Sequence, residues 1–103
     1  MERLKGVQKK YLRGLAHGKK PLVFVGHKGI SPSVFKAVDE ALETHELIKV
    51  KFNEFKEKEQ KKEIVGMIER ETGAEIVGII GHMAIFYRCQ KDPEKRKIVI
   101  PNS

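Results

Sequence analysis

The sequence predicts a single-domain α/β sandwich, with elements in the order α-β-α-β-α-β-β and a mixed sheet. Three observations lead there. Apolar residues recur at helical spacing in three separate stretches, and short strand-like runs alternate with them. The last two such runs are joined through Gly81-His82, a connection short enough for a hairpin. At 103 residues the chain fits one domain, large enough to remove roughly 60–70% of its unfolded surface from water without disulfide or metal staples.

Leu4, Val7, Tyr11, Leu12 and Leu15 follow helical spacing, with Lys5, Lys9, Lys10 and Arg13 largely between them, which predicts a first helix with a basic outer face. Gly18 is expected as its C′ residue, and Pro21 prevents the helix from resuming. Leu22 to Val25 is apolar at every position, which predicts a central strand. A second helix is expected over 32–44, turning Val34, Phe35, Val38, Ala41 and Leu42 inward and Lys36, Asp39, Glu40 and Glu43 outward. Leu47 to Phe52 alternates with period two, placing Leu47, Lys49 and Lys51 on a wet, basic face. After a charged stretch from Glu54 to Gln60, a third helix buries Ile64, Met67 and Ile68 and stops at Gly73. Strands follow at 75–80 and 84–88. The charged stretch 90–97 is expected to be mobile, and Ile98-Val99-Ile100 to form either a short edge strand or a packed extended segment, so that the domain proper covers 1–97 and 98–103 is a tail.

The composition narrows the function. Cys89 is the sole cysteine, and neither C-x-x-C nor H-E-x-x-H is present, so no metal or cofactor is expected. The opening residues have no apolar stretch of signal-peptide length and no run reaches membrane-spanning length, which predicts a cytoplasmic protein without a membrane partner. The formal net charge is +7, and its distribution is uneven: residues 1–36 hold nine Lys/Arg and one acid, while the other 67 residues hold twelve basic and thirteen acidic groups. A charge run alone is commonly a solvated helix face. Here it coincides with a distinctive loop.

That loop is Gly26-His27-Lys28-Gly29, placed between an apolar strand and a helix start at Ser31-Pro32, an N-cap followed by proline at the first helical position. Glycines let the backbone approach a ligand closely, and such a loop presents N–H groups and a helix N-terminus to an anion. With Lys28 inside it and a basic chain around it, the expected anion is the phosphate of a polynucleotide. The glycine pair is weak evidence alone, since about 0.8 G-x-x-G matches are expected by chance in a chain of this composition. A second match, Gly78-Ile79-Ile80-Gly81, has an apolar centre in a strand-like run and reads as buried backbone.

The loop fits neither the Walker A nor the dinucleotide pattern: two residues separate its glycines, and Phe24 stands where G-x-G-x-x-G needs glycine. Of the four histidines, His17, His45 and His82 carry no ligand spacing, and only His27 has a functional setting. The core is expected to need Phe24, Phe35, Phe52 and one of Phe86 and Tyr87, which leaves no aromatic-rich stretch for stacking bases. Recognition by backbone and shape follows, pointing to structured RNA. An enzyme acting on a phosphorylated small molecule and a protein–protein adaptor remain alternatives.

Several segments together resemble the CRM domain, the chloroplast RNA splicing and ribosome maturation or YhbY-like family. They are Leu15-Ala16-His17 with Pro21, Val23-Phe24-Val25-Gly26-His27-Lys28-Gly29 with Ser31, Ala41-Leu42, His45-Glu46-Leu47-Ile48-Lys49-Val50-Lys51, Gly73-Ala74, Ile80-Gly81 and Phe86-Tyr87-Arg88. The resemblance spans nearly the whole chain. It implies a fold similar to the C-terminal domain of translation initiation factor three with a KH-like GxxG loop, RNA binding without catalysis, and association with ribosomal RNA in precursors of the large subunit. By position, Gly26, His27, Lys28 and Gly29 become the RNA loop and Arg88 a support. One departure is that His27 occupies the place, directly after the first glycine, where the family usually has a basic residue. Together the two lines give as candidate RNA contacts Gly26, His27, Lys28, Gly29 and Ser31, with Lys9, Lys10, Arg13, Lys19, Lys20 and Arg88, and ribosome assembly as the process served.

Overall fold

The computed structural model describes residues 3–26, 29–53 and 57–101. Helix α1 (Gly6–Ala16) is followed by β1 (Val23–Val25), α2 (Pro32–His45), β2 (Leu47–Phe52), α3 (Lys58–Thr72), β3 (Glu75–Ile80), β4 (Met83–Tyr87) and a short 3₁₀ turn at Pro93–Lys95. This is the predicted element order. The strands make one mixed sheet in the order β1-β2-β4-β3, with β1 parallel to β2 and the other pairs antiparallel.

Each face of the sheet carries its own core. Val38 and Leu42 of α2 and Ile64, Val65 and Ile68 of α3 meet Val23, Val25, Ile48, Val50, Phe52, Ala84 and Phe86 on one face. On the other, Leu12 and Ala16 of α1 meet Leu47, Val77, Ile85 and Tyr87, with Ile98 and Ile100 of the tail packed against them. The α1 stripe is narrower than its sequence spacing predicts, because Val7, Tyr11 and Leu15 point away from the sheet. Gly73 ends α3 as expected, at φ 74°, a conformation that costs a side-chain-bearing residue more than glycine. Gly18 does not serve α1 in this way: the helix closes through Lys19 N–H on the Ala16 carbonyl, and Gly18 has no positive φ.

Three further expectations are corrected by the long-range pairing. Strand β1 lies at the edge of the sheet, not its centre, and Phe24 is 63% exposed instead of joining the core. Strand β3 is the opposite edge, so Ile79 and Ile80 of the second glycine pair are exposed. Gly78 in that pair leaves room for Arg13, since an added Cβ would stand 2.9 Å from the Arg13 Cδ. The stretch after β4 is tied down. Gln90 is buried and its amide donates to the Glu43 carbonyl and carboxylate, and Arg96 Nε donates to the Gln90 carbonyl. Residues 98–100 join no strand and take the packed alternative.

Glu46 organises this end of the molecule. It is a buried carboxylate at the helix-to-strand turn, and its φ of 62° is unusual for a residue with a side chain. Its own N–H closes α2 on the Leu42 carbonyl, and its carbonyl accepts from Arg88 N–H. The side chain accepts from the backbone N–H groups of Gln90, Lys97 and Ile98 at 2.9, 2.6 and 3.1 Å. A backbone strain of about 1–3 kcal/mol persists only where surrounding bonds over-determine it, as these do.

Candidate nucleic-acid interface

Strand β1 runs out of the sheet at Val25 and the chain turns at once. Gly29 N–H donates to the Gly26 carbonyl at 3.0 Å, closing a four-residue turn, and Gly29 has φ 84°, which a residue with Cβ adopts only under strain. His27 and Lys28 lie outside the described residues. The turn leads into α2, with Pro32 at the first helical position. Ser31 has the extended backbone of an N-cap, but its hydroxyl hydrogen-bonds Ser33 Oγ at 2.9 Å and makes no bond to the helix backbone. The first turn of α2 contains no acid. A helix start without side-chain cap or local carboxylate favours an external anion. At Gly26 an added Cβ would meet nothing within 4 Å among the described residues, so the fold itself does not demand glycine there.

The other candidate residues do not gather around this loop. Lys9 faces Glu75 at 3.8 Å, and Arg13 Nη1 donates to the Val77 carbonyl at 3.1 Å, so both lie across β3. Glu75 also accepts the Leu4 N–H with both carboxylate oxygens, and this fastens the start of α1. Lys10 is exposed beside Val7, Tyr11, Leu15 and Pro101. Lys19 and Lys20 are exposed near His45 and Lys49, before β1 begins, and the loop follows its end. Arg88 is only 16% exposed in its side chain. It bonds Asp39, the Thr72 carbonyl and Glu43, which is the work of a clamp between β4, α2 and α3.

Two residues next to the loop were assigned otherwise or passed over by the sequence reading. Phe24 and Lys51 are register partners on β1 and β2, both exposed, and they line an open hollow with Gly26 and Asn53. The shortness of the apolar run, four residues from Leu22 to Val25, was the available signal, because edge strands are often short. Lys61 joins the same end of the sheet from α3, meeting the Gly81 carbonyl and His82 Nδ1 at 3.3 and 3.0 Å. The His82 carbonyl accepts from Phe52 N–H. Among the described residues, no group of three His, Cys, Asp or Glu side chains could hold a metal ion, and no helix is long and apolar enough to cross a membrane.

Residues 4–88 match the family model of the CRS1/YhbY (CRM) domain. The chain belongs to the CRM domain family. Within it, an RNA-binding protein of Haemophilus influenzae is 41% identical, over 98% of each chain. The probable RNA-binding protein YqeI of Bacillus subtilis is 34% identical, over 95% of this chain and 99% of its own. The solution structure of a hypothetical Staphylococcus aureus protein, proposed to bind RNA, matches with a TM-score of 0.78 and 36% identity, covering 94% of this chain and all of that one. The CRM match ends at Arg88, so the tail that Glu46 anchors lies beyond it.

Proposed function

We propose that this CRM domain binds RNA without catalysing a reaction, gripping phosphates with the turn at Gly26–Gly29 and the start of α2. The observation that carries the reading is the glycine turn delivering the chain to a helix N-terminus without side-chain cap or first-turn acid, in a family whose relatives bear the name of RNA-binding proteins. Lys28 supplies charge within the loop, Lys51 stands beside it, and Lys10, Lys19 and Lys20 attract the polyanion from further away. Lys9, Arg13 and Arg88 hold the domain together and leave the contact set. The RNA is ribosomal RNA of large-subunit precursors and the process is ribosome assembly in the cytoplasm, a reading that rests on the resemblance of the sequence to stand-alone CRM proteins.

The experiment is a salt titration of binding to a fragment of large-subunit ribosomal RNA, paired with crosslinking in cell extract and sequencing of the attached RNA. Four to six phosphate contacts give a log–log slope of about −3 to −5. Replacing His27 and Lys28 together by Asp should weaken binding at least tenfold, or about 1.4 kcal/mol, and reduce the slope by about 1. A flat salt response sinks the phosphate reading. Crosslinks dominated by RNA other than ribosomal precursors sink the assignment to ribosome assembly.

A further inference from the structure

One row of side chains crosses the whole sheet beside the loop. Phe24 on β1 is in register with Lys51 on β2, Lys51 with Met83 on β4, and Met83 with Ile80 on β3. Register partners share a face, and this is the face on which α1 packs. Helix α1 covers only the other end of it. Two residues back along the strands the row contains Lys49, Ile85 and Gly78, where Ile85 is buried with Leu12 and Ala16 and Gly78 lies under Arg13. Among the described residues, the row at the loop end has no such cover: Phe24 is 63% and Ile80 61% exposed, Lys51 is exposed and Met83 half-buried. With neighbouring strands about 4.8 Å apart, it is about 14 Å wide.

We infer that the Phe24–Lys51–Met83–Ile80 row is a stacking platform for an unpaired base of the RNA whose phosphates the adjacent loop holds. The inference rests on the proposed RNA-binding role. An exposed aromatic at the sheet edge offers a π face to a base, and the apolar side chains of Met83 and Ile80 continue the row beyond Lys51. Lys51 stands one strand away, so a nucleotide stacked on the Phe24 ring brings its phosphate within reach of that ammonium. A nucleotide uses both kinds of group, its base on the aromatic ring and its phosphate on the lysine, and the excess of basic residues in 1–36 favours a polyanion. The row is also continuous with the glycine turn, because only Val25 separates Phe24 from Gly26. Recognition then includes at least one unstacked nucleotide, beside the backbone and shape contacts expected from the sequence.

The test uses the full chain, an RNA hairpin whose adenosine-rich loop carries 2-aminopurine, and the same strand annealed into a continuous duplex. Binding should quench the 2-aminopurine. Phe24→Leu keeps an apolar side chain at an exposed position of an edge strand, where substitutions usually cost little stability, so folding should persist; it should abolish most of the quenching and weaken hairpin binding at least fivefold, or about 1 kcal/mol. Phe24→Tyr should retain both, and all three proteins should bind the duplex alike. The salt slope should fall by about 1 in Lys28→Ala, which loses a phosphate contact of the loop, and by less in Phe24→Leu, because stacking itself releases no counterions and only the Lys51 contact is loosened. If Phe24→Leu binds and quenches as wild type while Lys28→Ala is weakened, the platform is wrong and the loop reading stands. The reverse pattern keeps the platform and overturns the loop, and two unaffected variants overturn both. Sedimentation without RNA supplies a further check: a wild-type dimer that Phe24→Leu converts to monomer would make the row a self-association surface and overturn the inference.

Discussion

The Arg88 guanidinium meets the Asp39 carboxylate at 2.6 Å, and the same nitrogen donates to the Thr72 carbonyl at 2.8 Å. One side chain at the end of β4 thus holds the outer face of α2 and the last turn of α3. Asp39 and Glu43 are each about half exposed, so the charge attraction is modest; the bond to the Thr72 carbonyl at the end of α3 adds to it.

Replacing Arg88 by Ala should therefore lower stability by about 1–2 kcal/mol, a fall of about 4–8 °C in Tm for each kcal/mol. Arg88→Lys should recover only part of this, because a single ammonium cannot also supply the second guanidinium nitrogen's bond to the Asp39 carbonyl and its contact with Glu43. RNA binding measured well below the melting transition should keep its salt slope. An unchanged Tm with a slope reduced by about 1 would instead make Arg88 a phosphate ligand.

Loss of the Glu46 carboxylate should release the tail before it unfolds the domain. In Glu46→Ala the N–H groups of Gln90, Lys97 and Ile98 lose their acceptor, which should cost at least about 3 kcal/mol. Glu46→Gln retains one acceptor oxygen and should lose less. Hydrogen exchange is the decisive readout: the Lys97 and Ile98 amides should exchange faster in Glu46→Ala, while the amides of β2 and β4 change only with global stability. Equal acceleration everywhere would contradict a local anchor.

Alkaline pH should weaken the domain through Tyr87. Burial pushes its phenol well above the ordinary value of about 10, helped by the hydrogen bond to Cys89 and by the charges of Cys89 and Glu46, with Arg96 opposing. The folded state thus favours the neutral phenol. This contribution is present in full below about pH 10 and is lost as the pH rises from there through the raised folded value. In urea titrations from neutral to strongly alkaline pH, the stability difference between wild type and Tyr87→Phe should stay constant up to about pH 10 and shrink above it. A difference that holds constant throughout would remove Tyr87 from the alkaline response.

The inward residues of α2 were legible because near neighbours along a helix face the same way, and Val38 and Leu42 are buried where their spacing put them. The αL stop at Gly73 and the hairpin at Gly81-His82 were legible from local chemistry as well. Lys9 and Arg13 were not. Their spacing put them on a basic helix face, and Glu75 and the Val77 carbonyl, more than sixty residues along the chain, turn that face toward β3. Glu46 could be read in sequence only as part of a motif, since its partners Lys97 and Ile98 arrive from the far end of the chain.

The sequence by itself determined the order of helices and strands, the family, and the position of a glycine turn between a strand and a helix start. Those features depend on residues close together in the chain, where propensity, periodicity and capping act. Only the tertiary structure decided that β1 is an edge, that α1 covers one end of its sheet face, and that Phe24 and Lys51 therefore share the open end beside the loop. An apolar side chain carries the same transfer free energy wherever it stands in sequence, and whether it is buried depends on which distant segment arrives to cover it.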